Sequence, residues 1–209
     1  MKRYARAERQ TLADLLDRTG PDAPTLCKGW TTRDLAAHLV VRERRPDAAI
    51  GLVIPALRRH GDRVRAARAR TPYPQLVDLV RQPPWWSPVS NPLIDPVANG
   101  LEMFVHHEDV LRAQPDWRPR ELPTAYLAAI WAEVRSLARI VLRSYPAAVL
   151  LDAPGWGQTR AGAGGPKVRV VGAPPELLLV LVGRQRAALV ELDGPAEQTE
   201  RLRRANLGI

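Results

Sequence analysis

The chain has 209 residues, 45% of them apolar and 25% charged, enough for one mid-sized domain or two small ones with a real core. No apolar run reaches the roughly 18 residues of a membrane helix, and Met1-Lys2-Arg3-Tyr4-Ala5-Arg6 lacks the apolar centre of a signal peptide, so a soluble, cytoplasmic protein with no membrane partner is expected. The single cysteine, Cys27, excludes an intramolecular disulfide and a cysteine-rich cluster, which leaves metal chemistry to nitrogen and oxygen ligands.

The first expected helix covers residues 3–18 and stops at Gly20-Pro21. A loop leads to a second helix that opens with Thr31 as N-cap and Asp34 as its capping-box partner, and that ends at Pro46. Further helix is expected over 50–69, interrupted near Gly51 and Pro55. This stretch holds the densest basic run, Arg58, Arg59, Arg63, Arg65, Arg68 and Arg70, within a net charge of +9. Clustered cations neutralise phosphates, but here the other arginines are scattered over the whole chain, so nucleic-acid binding is the less favoured alternative.

A short helix over 75–81 precedes Pro83-Pro84-Trp85-Trp86-Ser87-Pro88, whose tryptophans are expected to pack as a wall or lid. Asp95-Pro96 starts the next long helix, with Asp95 as N-cap, running to about residue 113. A fourth long helix, 123–144, has apolar residues at helical spacing. After Tyr145-Pro146 the pattern turns to strands at 148–151, 168–171 and 188–192, with a glycine-rich connection at 155–165, an apolar helix at 174–185 and a polar closing helix at 196–205. The expected class is α+β: a four-helix bundle over 1–145 and a small α/β module over 146–209.

Glu102 and His106 stand at i and i+4 in the third long helix, within about 40° of each other around its axis. Asp109 lies about 20° to the other side of Glu102, whereas His107 is about 140° away. A surface pair is the plain reading of Glu102 and His106, and a hydrogen-bonded core histidine is the plain reading of His38. A metal site is the other reading, because two bundle helices can present His38, Glu102 and His106 to one interior point. Two imidazoles and one carboxylate would leave coordination positions open, as catalytic sites do. Asp109 would then orient an imidazole or act as a nearby base. Cys27 reads as a buried thiol before a nucleophile, His60 as a surface residue before a fourth ligand, and 155–165 lacks the ending of a phosphate loop.

The segment Cys27-Lys28-Gly29-Trp30-Thr31-Thr32-Arg33-Asp34-Leu35-Ala36-Ala37-His38-Leu39 resembles the GW-T-x-x-D-L-x-x-H-L stretch of the DinB-like metal-binding four-helix bundles, in particular the mycothiol-dependent maleylpyruvate isomerase group. Glu102-Met103-Phe104-Val105-His106-His107-Glu108-Asp109 is similar to that group's E-x-x-x-H-x-x-D segment, and 168–184 to its sterol-carrier-like C-terminal module. The resemblance implies an actinobacterial relative with His38, Glu102 and His106 as ligands of a divalent metal, zinc by preference, and with mycothiol as a thiol cofactor. It also implies a thiol-dependent transferase or isomerase; Arg42 and Arg112, by their helical positions, are the arginines expected to hold carboxylates of the thiol or of an electrophilic, acidic substrate. A non-catalytic metal-binding or stress-related protein is the alternative. A homodimer is compatible with the sequence and not specified by it.

Overall fold

The computed structural model describes residues 4–49, 58–87, 96–165 and 167–208. Two compact units are present, residues 1–119 and 120–209. In the first unit α1 is Ala5–Thr19, α2 Thr32–Arg44, α3 Pro46–Ala49, α4 Arg58–Arg68, α5 Tyr73–Arg81 and α6 Pro96–Leu111. The expected N-cap Asp95 and the interruption near Gly51 and Pro55 lie outside the described residues.

The α2 start follows the expected capping box: Thr31 Oγ1 accepts from the Asp34 N–H, and the Asp34 side chain accepts from the Thr31 N–H at 3.2 Å. Pro46 ends α2 and opens α3, since its fixed φ suits a first helical turn. The unit is knit by one apolar cluster with Leu12 and Leu16 of α1, Leu35 and Leu39 of α2, Leu76, Val77 and Val80 of α5, and Met103 and Val110 of α6. Each buried leucine of this kind contributes about 1.5–3 kcal/mol.

The second unit holds α7 Thr124–Val141, β1 Ala148–Ala153, β2 Gly157–Ala161, β3 Lys167–Val171, α8 Pro174–Leu181, β4 Glu191–Asp193 and α9 Ala196–Arg204. Its sheet runs in the order β2-β1-β3-β4. β1 pairs antiparallel with β2, Val149 opposite Ala161, and parallel with β3, Val149 opposite Val168. β4 closes the edge antiparallel, Leu192 opposite Val170. α7 packs on α8 and on β2. A row of side chains ties three strands, because Asp152 of β1 accepts from Gln158 Nε2 of β2 and from Arg169 Nε of β3, both at 2.9 Å.

Several expectations change. The fourth long helix, expected in a bundle over 1–145, packs with the sheet, and the chain divides at 119/120. Periodicity marks α7 as amphipathic, but not which apolar surface it covers. The glycine-rich connection contains β2, which a hydropathy pattern misses because its Gly-Gln-Thr-Arg-Ala side chains are all exposed or half-buried at the sheet edge. The last strand is shorter and later than 188–192. Trp85 is 89% exposed and Trp86 49%, so neither packs as a wall among the described residues. The Ser87 N–H bonds the Pro84 carbonyl, and this turn buries Pro84 and Ser87 while directing the two rings between them outward. No described helix is long and apolar enough to cross a membrane.

Candidate metal centre

Two helices of the first unit build the site. α2 carries His38 and, one turn later, Arg42; α6 carries Asn99, Glu102, His106 and Asp109 at spacings that place them along one face. The loop before α2 is fastened to α6 by the Leu26 N–H, which donates to the Asp109 carbonyl at 2.9 Å. It is closed on itself where Thr25 Oγ1 donates to the Trp30 carbonyl at 2.9 Å. Both links put Cys27 and Trp30 beside the helical pair.

Glu102 Oε1 lies 3.2 Å from His38 Nε2 and 3.2 Å from His106 Nε2. A single carboxylate oxygen thus faces two imidazole nitrogens, and the three groups fall within 4.8 Å of one another. On the far side of its ring, His106 Nδ1 is 3.0 Å from Asp109 Oδ2, which also accepts from Cys27 Sγ at 3.3 Å. The two imidazoles meet edge to face with centroids 5.2 Å apart, and Trp30 covers His38 at 5.1 Å. Trp30 is covered in turn by the Arg65 guanidinium at 4.6 Å, and Arg65 Nη1 donates to Asp34 Oδ1 at 2.6 Å. The capping-box residue of α2 therefore also anchors the stack that backs His38.

The electrostatics follow from burial and these bonds. Burial pushes the His38 imidazole below its ordinary value, more than the hydrogen bond to Glu102 raises it. Burial alone would raise the Glu102 carboxyl, but hydrogen bonds from His106 and His38, with the Arg42 charge, hold it well below the usual carboxylate range. Burial would likewise lower His106, yet its bonds to Asp109, Cys27 and Glu102 hold it well above the usual imidazole value. The trio thus combines an ionised carboxylate with one nitrogen that is readily neutral and one whose Nδ1 is fixed by an acid, a donor set that fits a divalent ion of borderline hardness.

The remaining candidates separate clearly. Arg42 is at the trio, its Nε 3.4 Å from Glu102 Oε1 and its Nη1 donating to Asn99 Oδ1 at 3.1 Å. Arg112 is buried, donates from Nε to Glu108 Oε2 at 2.6 Å and lies over Trp117. His107 points to α1, with Nδ1 3.3 Å from Thr11 Oγ1 and 3.5 Å from Glu8 Oε2. His60 meets Asp47 at 3.0 Å. Cys27 is the residue that sequence reasoning undervalued: with His106 and Asp109 it forms a second potential donor group. The only signal for it was its place two residues before the Gly-Trp pair that leads into α2.

No family model matches the chain, and no curated protein matches it. Among solved structures, the mycothiol-dependent maleylpyruvate isomerase is similar, with a TM-score of 0.59 and 17% identity over 92% of this chain and 90% of that one. A histidine-to-alanine variant of that enzyme matches with the same TM-score and coverage at 16% identity. At this identity the likeness is one of fold, and it is the fold that the Gly-Trp and Glu-x-x-x-His segments resemble.

Proposed function

We propose that this protein is a metal- and low-molecular-weight-thiol-dependent isomerase or transferase whose centre is His38, Glu102 and His106. The observation that carries the reading is the convergence of two Nε2 atoms on Glu102 Oε1 at 3.2 Å each, from helices far apart in sequence. Zinc suits this donor set, and mycothiol is the thiol that the fold likeness and the motifs favour. The same resemblance supports a DinB-like helical arrangement around the centre and a sterol-carrier-like character for the second unit.

A zinc ion bound there supplies positive charge that favours thiolate over thiol at neutral pH. The chain's own residues do the rest. Asp109 fixes the His106 ring from behind, so that Nε2 points at Glu102. Trp30 covers one side of His38 and keeps water from it. Arg42, whose fork already lies beside Glu102, is the arginine proposed to hold a carboxylate of the thiol or of the acidic substrate. Arg112, engaged by Glu108, is a weaker candidate for that task.

Elemental analysis of the purified chain tests the centre: about one zinc per chain is expected, lost in His38→Ala, Glu102→Gln and His106→Ala. Zinc-loaded protein is then given mycothiol and maleylpyruvate. Isomerisation that needs both zinc and thiol supports the enzyme, zinc without thiol binding or turnover leaves a non-catalytic metal protein, and full zinc content in the triple variant overturns the site.

A further inference from the structure

The arginine run at 58–70 is not used by the metal centre except through Arg65, and the rest of it builds a separate feature. His60, Arg63, Val64, Ala67, Arg68 and Thr71 line an open groove of about 380 Å³, with Arg45 from the end of α2 on its other side. The α4 positions His60, Arg63, Val64, Ala67 and Arg68 recur at i, i+3, i+4, i+7 and i+8, the spacing of a single helical stripe, and Thr71 follows just past the helix end. On most helices such a stripe is apolar and buried. Here it has a small floor of Val64 and Ala67 with cations along both edges.

Asp47 fixes the far edge: Arg45 donates to it from Nε and Nη2 at 2.8 Å each, and His60 Nε2 stands 3.0 Å from it. Asp47 is thereby committed to two of the groove's basic side chains, Arg45 and His60. Arg63 donates from Nε to the Arg59 carbonyl at 3.3 Å, and the Arg68 guanidinium bonds no group among the described residues, its carbonyl alone accepting from the Thr71 N–H. Two guanidinium groups, five residues and about 140° apart round α4, thus line the groove from its opposite edges with donors to spare. Arg65, one residue off the stripe, turns instead to Asp34 and Trp30.

We propose that this groove binds a small dianion, a phosphate or a dicarboxylate, through Arg63 and Arg68, with Val64 and Ala67 beneath its carbon or ester portion. Bidentate guanidinium contacts suit both oxyanion types. The volume suits a small molecule and not a polymer backbone, whose phosphates would need a longer basic track. The inference does not depend on the metal centre.

Isothermal titration with inorganic phosphate and with succinate, at about 0.1 M monovalent salt so that diffuse attraction is screened, is the test. Saturable binding of one ion per chain is expected for at least one of the two probes, and which one saturates identifies the ligand type. Arg63→Ala with Arg68→Ala should weaken it at least about tenfold. Ala67→Trp should weaken it similarly while leaving every charge in place, and because Ala67 is exposed that variant should fold even if the double variant does not. The exposed pair Arg135→Ala with Arg139→Ala, which belongs to the second unit and not to the groove, should change nothing, and His38→Ala should retain binding. Absence of saturation with both probes overturns the proposal. So does equal loss in the Arg135 and Arg139 pair, unimpaired binding by Ala67→Trp, or saturation only by a single-stranded oligonucleotide.

Discussion

Asp109 Oδ2 lies 3.0 Å from His106 Nδ1, on the side of the ring opposite to Glu102. A carboxylate so placed keeps the proton on Nδ1 and leaves the Nε2 lone pair for a ligand. Asp109→Asn should therefore weaken zinc binding by about 10–100-fold while one ion per chain is still taken up at saturation. Competition with a chelator of known affinity reads the first quantity and elemental analysis the second. Unchanged affinity would remove the positioning role; loss of stoichiometry would make Asp109 a ligand itself.

Cys27 offers a sharper discrimination. Its thiol donates to the same Asp109 oxygen at 3.3 Å, so it belongs either behind His106 or in a donor group of its own. With His38, Glu102 and His106 as the ligands, Cys27→Ala keeps one zinc per chain and loses less affinity than Asp109→Asn. Cadmium-loaded wild type then shows no thiolate-to-metal absorption in the ultraviolet. A cysteine-dependent band in that region would shift the site to Cys27, His106 and Asp109.

How far the sequence reached differs between the two units. The Thr31-Asp34 capping box and the phase of Glu102, His106, Asp109 and His107 could be read directly, because they depend on contacts within one or two helical turns. The approach of His38 to Glu102 spans 64 residues and was reached by combining motifs, not by spacing. Trp30, Arg65 and Cys27 went unplaced, since stacking of Arg65 on Trp30 and of Trp30 on His38 leaves no periodic trace. In the second unit β2 was missed because an edge strand with polar side chains is defined by its backbone pairing with β1, and the partner surface of α7 could not be known until the sheet was in view.

Gly162 shows that backbone demand directly. It has φ +98°, and a Cβ there would run into the Ala147 carbonyl. Both the left-handed conformation and the close approach exclude a side chain, so Gly162→Ala should destabilise the second unit by more than about 1 kcal/mol. Gly164, with φ +109° but nothing within 4 Å of its Cβ position, separates the two causes. Gly164→Ala should cost only the conformational part. Equal effects in urea denaturation would mean that the Ala147 contact relaxes freely.

Arg9 and Glu43 form an ion pair inside the first unit, with side chains 4% and 0% exposed. Arg9 Nη1 also donates to the Val80 carbonyl at 2.8 Å, so the pair links α1, α2 and α5. Its gross attraction is largely offset by desolvation, and the asymmetry lies in breaking one half. Arg9→Ala should cost about 3–5 kcal/mol by leaving Glu43 buried and uncompensated. The double variant Arg9→Met with Glu43→Leu should recover most of that. A double variant as unstable as the single one would show that the pair is worth far more than its isosteric replacement.

Tyr73 provides a pH signature of the same core. Its hydroxyl donates to the Leu16 carbonyl at 2.9 Å, and burial pushes the phenol up to about 12. In the unfolded chain the phenol titrates near its ordinary value of about 10. Between those values the folded state holds a proton that the unfolded state has released, so stability falls as pH rises. Below about 10 both states are protonated and the contribution is complete. Tyr73→Phe should cost about 1 kcal/mol at pH 7 through the lost hydrogen bond, and this deficit should shrink as pH climbs from about 10 towards 12. Urea titrations of both proteins at pH 7 and across that alkaline window measure it. A deficit that stays constant would mean the Tyr73 hydroxyl ionises as readily in the folded chain as in the unfolded one.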